Sequence, residues 1–90
     1  MDNKVVKFTE EAKIDFHKAT CFMAFSGKEA IFWEDVDSQL NLILQMPDAF
    51  QLRYKNVRII SLNKFNYSIH SVTKPYGVLV YRFLNQHQDF

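Results

Sequence analysis

Apolar residues recur every three or four positions through the first half of the chain. Ala12, Phe16, Ala19 and Met23 share one side of a helix, and Phe22 widens the stripe. Thr9 precedes this run and Glu10 and Glu11 open it, the order of an N-cap followed by an acidic first turn. Ser26 and Gly27 break the pattern. A second stripe of Phe32, Val36, Leu40, Ile43 and Leu44 follows, while Glu34, Asp35, Asp37, Gln39 and Asn41 fall mostly off it. Ser26, Gly27, Lys28 and Glu29 fit a capping box that would start this second helix, and Pro47 ends it.

Further on, the period changes to two. Val57, Ile59 and Ser61 alternate with Arg58, Ile60 and Leu62. Past a hinge at Asn63 and Lys64, Phe65, Tyr67, Ile69 and Ser71 alternate with Asn66, Ser68, His70 and Val72. Lys4 to Phe8 reads as a short first strand and Val78 to Leu84 as the last, with Lys74, Pro75, Tyr76 and Gly77 suited to a type I turn before it. Asp48 to Lys55 reads as a bulky connector packed under the helices. The order β-α-α-β-β-β predicts an α+β domain, with a mainly antiparallel sheet and a helical hairpin packed on one face.

Composition narrows this picture. A chain of 90 residues makes one domain, residues 1–90, and buries only about 60 to 65% of its unfolded surface, so stability is modest and a partner matters. The apolar fraction of 48% is that of a packed chain, and the net charge of +1 gives no general affinity for nucleic acid. The opening MDNKVVKF lacks the apolar core of a signal peptide, and no apolar run is long enough to span a bilayer. Cys21, the single cysteine, lies in ATCFMAF and reads as a small buried thiol. These features place the protein in the reducing cytoplasm, away from membranes.

The candidate chemistry is sparse. Arg58 and Lys64 either face a nucleic acid or acidic target, or serve structure, Arg58 by pairing a carboxylate and Lys64 by solvating a turn. Arg82 on the last strand is a further basic candidate for target binding. His70 and His87 have the pKa range of a general acid and base, but they are far apart in sequence. Tyr67 shares the core-facing register of Phe65 and Ile69, and His17 lies at the surface of the first helix. Three histidines with no short spacing and one cysteine do not make a convincing metal site, no cofactor is expected, and Gly27 and Gly77 are too isolated for a phosphate loop. Ile31 and Trp33 lie beside the second stripe, either covering the connector or waiting for a partner.

Taken in order, EEAKIDF, MPDAF, NVRIISLNKFNYSIH and the closing RFLNQHQDF resemble the ParE/RelE superfamily of type II toxin-antitoxin modules, also labelled plasmid stabilisation proteins. The resemblance covers nearly the whole chain. It implies a cytoplasmic growth inhibitor neutralised by a cognate antitoxin in a hetero-oligomer, with Ile31 and Trp33 as antitoxin contacts. Arg58, Lys64, Arg82 and His87 become the target contacts.

Departures from the family pattern bear on mechanism. Members of the RelE branch cleave messenger RNA on the ribosome, chemistry that needs basic groups to activate a 2′-hydroxyl and stabilise a phosphorane. Ser68 stands where that branch commonly has an arginine, and the tail from Asn85 to Asp89 has neither its arginine nor its tyrosine. The ParE branch inhibits DNA gyrase by binding. Asn66, Asn85 and Gln88 replace its usual proline, histidine and arginine, while Asp89 is retained. The resemblance therefore implies binding of a macromolecular target, with gyrase the first expectation. The alternatives are a ribosome-dependent endoribonuclease with an altered set of Arg58, Lys64, His70 and His87, or a member that has lost toxicity.

Overall fold

The computed structural model describes residues 4–86. Strand β1 (Val5–Phe8) leads into helix α1 (Glu10–Phe25), helix α2 (Glu29–Gln45) and a single 3-10 turn (Pro47–Ala49). Strands β2 (Leu52–Tyr54), β3 (Val57–Ser61), β4 (Tyr67–Lys74) and β5 (Gly77–Asn85) follow. They form one five-stranded sheet in the order β1-β5-β4-β3-β2. All neighbours are antiparallel except β1 and β5, which run parallel. The β-α-α-β-β-β expectation holds, with one strand more.

That extra strand is the connector. Leu52 pairs with Arg58 across an irregular register, so the second half of this segment closes the sheet edge with Leu52, Arg53 and Tyr54 exposed, while Phe50 before it packs against the core as expected. Three further expectations are corrected. Cys21 is exposed, not buried, and Phe22 is 63% exposed although it continues the apolar stripe. A hundred degrees per residue carries positions 21 and 22 out of the wedge between α1 and the sheet that Ala19 and Met23 fill.

The capping box does not form either. The Ser26 hydroxyl donates back to the Phe22 carbonyl, and Lys28 takes the N-cap position without a side-chain bond. Instead Gly27, at φ +71°, closes α1 in a Schellman motif. The Lys28 amide donates to the Met23 carbonyl at 2.8 Å and the Gly27 amide to the Ala24 carbonyl at 3.1 Å.

The core lies between the helical hairpin and one face of the sheet, and aromatic rings dominate it. Phe83 stacks on Phe16 at 4.1 Å and on Tyr67 at 4.9 Å, while Phe32 meets it edge-on at 5.8 Å. Ile60, Ile69, Val78 and Val80 complete the sheet's contribution. Trp33 is half-buried against this core and stacks on Phe16 at 5.7 Å, whereas Ile31 is exposed.

At the other end of the sheet, β1 packs against β5 so closely that a Cβ on Gly77 would lie 2.2 Å from the Val5 carbonyl oxygen. Gly77 has φ +141°, so the residue after Pro75 and Tyr76 is a glycine on both grounds.

Candidate functional site

Strand β1 stops at Phe8, but β5 continues to Asn85. Beyond Val80 the outer edge of β5 therefore needs other partners for its backbone. The start of α1 provides them. The Thr9 amide donates to the Val80 carbonyl at 3.1 Å, and its hydroxyl donates to the Tyr81 carbonyl at 2.7 Å while accepting the Ala12 amide at 3.0 Å. One turn later the Asp15 carboxylate accepts the Phe83 amide at 3.0 Å and the Arg82 guanidinium at 2.8 Å.

A bulge sets up this arrangement. His70 pairs with Arg82 and Ser71 with Val80, leaving Tyr81 without an opposite residue on β4. Two consecutive side chains, Tyr81 and Arg82, thus leave the core between the inward-facing Val80 and Phe83. The hydrogen bonds that Arg82 donates to Asp15 raise the Arg82 pKa, so this cation stays charged. It remains partly exposed, with 39% of its side-chain surface accessible.

Past the Asp15–Arg82 pair, α1 and the end of β5 diverge into an open groove of about 760 Å³. Asp15, Lys18, Ala19, Phe22 and Met23 form its helical wall. Asn66, Tyr67 and residues from Arg82 to Asn85 form the opposite wall. The wall positions on α1 are spaced three and four apart, so one helix face lines the whole groove. The exposed ring of Phe22 stands at this groove, and Phe25, 95% exposed, and Ile31 are further exposed apolar residues on either side of the turn between the helices. Single exposed apolar residues are ordinary, but a groove that sets Phe22, Met23, Tyr67 and Leu84 among Asp15, Lys18 and Arg82 has the mixed lining of a partner site.

The basic candidates separate on the structure. Arg58 is committed to the scaffold: its guanidinium donates to the Phe50 carbonyl at 2.9 Å, to the Thr73 hydroxyl at 3.0 Å and to Asp48 at 3.3 Å. Because the Asp48 side chain is almost fully exposed, the bond to the Phe50 carbonyl does most to anchor the segment before β2, and the Thr73 bond ties Arg58 to β4. Lys64 is exposed, and its backbone is fixed from α2. Asp35 accepts the Asn63 amide at 3.1 Å and the Lys64 amide at 2.7 Å. Asp35 and Gln39 are buried, against the expectation that they lie off the packed face.

His70 is fully buried on the sheet face away from the helices, opposite Ile59 and Arg82. The Tyr54 hydroxyl lies 2.8 Å from its Nδ1. Burial lowers the His70 pKa, and the nearby Arg82 cation lowers it further against a smaller opposing effect of Asp15. Burial raises the Tyr54 pKa. His70 is consequently a neutral ring held in place, and the structure does not bring it together with Lys64. His87 lies outside the described residues. Ser68 is buried on β4. Among the described residues no group of three or more potential metal ligands occurs, and no helix is long and apolar enough to cross a membrane.

Sequence reasoning missed Asp15 and Asp35 as ties between the helices and the sheet. Their partners lie 28 to 68 residues away, and the only local signal is an acidic residue beside an apolar stripe.

No family model and no curated protein matches the sequence. A solved chain described as "Chromosomal ParDE TA system from P. aeruginosa" matches in structure, with a TM-score of 0.69 and 16% identity over 92% of this chain and 96% of that one. The chain has the ParE-like fold.

Proposed function

We propose that the chain is the toxin component of a toxin-antitoxin module, inhibiting growth by binding a macromolecular target and neutralised by a cognate antitoxin. The observation that carries this reading is the ParE-like fold over nearly the full length of both chains. The open groove beside α1 adds a site of the right kind for a partner segment. On this reading the antitoxin lays apolar side chains between Phe22 and Tyr67, and the exposed Ile31 and the half-buried Trp33, on the other flank of α1, are further contacts.

Binding is favoured over nuclease chemistry because the candidate acid-base groups have other commitments. Arg58 anchors the β2 connector, Arg82 is held by Asp15, and His70 is buried and neutral. Lys64 and the exposed part of Arg82 remain as target contacts, with His87 in the tail beyond them. DNA gyrase is the first target to test, and the ribosome with messenger RNA is the alternative.

Expression in a bacterial host without the antitoxin, followed by parallel supercoiling and ribosome-dependent cleavage assays, tests the proposal. Growth arrest with inhibited supercoiling is the expected result. Normal growth with folded protein present would remove the toxin reading, and messenger cleavage lost in Arg82→Ala would replace binding by catalysis.

A further inference from the structure

His17 and Cys21 stand one helical turn apart on the exposed surface of α1, with His17 Nε2 3.7 Å from Cys21 Sγ. On a tetrahedral cation, a thiolate at about 2.3 Å and an imidazole nitrogen at about 2.05 Å lie about 3.6 Å from each other. The contact is that of a thiol–imidazole hydrogen bond, and it holds the two donors at the separation that chelation needs. We propose that His17 and Cys21 form a bidentate site for a borderline-soft divalent cation of the zinc type, a role independent of the toxin reading.

The chemistry selects the class of metal. A thiolate with an imidazole disfavours magnesium and calcium, which take oxygen ligands, and suits zinc or cobalt. Both residues are open to solvent, so water or a donor from a partner completes the tetrahedron. Binding releases the thiol proton as the sulfur–metal bond forms. The site lies on the flank of α1 away from the groove, where His17 borders a second, shallower cleft with Phe8, Thr20 and Trp33. Bridging positions 17 and 21 also pins one turn of α1, so occupancy stabilises the folded chain.

Cobalt(II) added to the reduced full-length protein under anaerobic conditions provides the test. The expected result is a near-ultraviolet thiolate-to-cobalt charge-transfer band saturating at one equivalent and erased by zinc. Cys21→Ser should abolish the band. His17→Ala should weaken binding by more than the roughly 10- to 100-fold that a second-shell change costs. Circular dichroism on both variants checks that these surface changes leave the fold intact. Absence of the band in folded wild-type protein, or unchanged affinity in His17→Ala, overturns the proposal.

Discussion

The Tyr54 hydroxyl and Nδ1 of His70 are 2.8 Å apart, joining the edge strand β2 to the centre of the sheet across β3. The contact holds a titratable ring where a proton is unwelcome. Folded His70 has a pKa below 6.5, so between that lowered value and 6.5 the unfolded chain binds more protons than the folded one. Stability from this residue is complete above pH 6.5 and is lost as pH falls through the folded value, at up to about 1.4 kcal/mol per pH unit. Urea denaturation of wild type and His70→Asn across pH 7.5 to 5 should show a steeper acid loss in wild type. Equal slopes would mean that His70 has an ordinary pKa despite its burial beside Arg82.

Asp35→Ala removes an acceptor shared by two backbone amides at the β3–β4 turn. The expected loss is about 2 kcal/mol by urea denaturation, with a smaller loss for Asp35→Asn, which keeps one acceptor. If both variants match wild type, the turn is held by its own backbone.

Gly77→Ala places a methyl group against the Val5 backbone and imposes an unfavourable positive φ. Destabilisation of about 2 kcal/mol or more is expected. Hydrogen exchange should locate it, with amides of β1 losing protection before those of α2. Uniform loss across the chain would indicate that β1 does not open separately.

Phe22→Ser should leave stability within about 0.5 kcal/mol, because the ring is already mostly exposed. Under the proposed function the same change weakens antitoxin binding by calorimetry and raises toxicity during co-expression. Undiminished affinity would move the antitoxin contact away from the groove.

Much of the fold was legible in local periodicity. Ala12, Phe16, Ala19 and Met23 are all buried, and so are Phe32, Val36, Leu40 and Ile43, because a helix in contact with one surface repeats every three or four residues. The alternation around Ile60 and Ile69 likewise places both in the core. Polar residues were harder to read. Asp35 and Gln39 look like surface residues by composition, yet Asp35 is buried because the amides that satisfy it arrive from the β3–β4 turn. His70 was placed off the core face correctly, but its burial depends on Tyr54, 16 residues earlier. The groove was not legible at all. It arises from a difference in length between β1 and β5, which no local pattern encodes.

The parallel pairing of β1 with β5 also orders events during synthesis. Val5 to Phe8 take Gly77 to Val80 as partners, so the first strand stays unpaired until the ribosome has made β5. Helices α1 and α2 emerge long before the sheet they cover, and their apolar stripes meet solvent or one another in the meantime. Closing so long a loop slows folding relative to the local hairpins of β3, β4 and β5. A nascent chain of this fold is therefore open to capture by a partner, or to aggregation, until β5 has emerged.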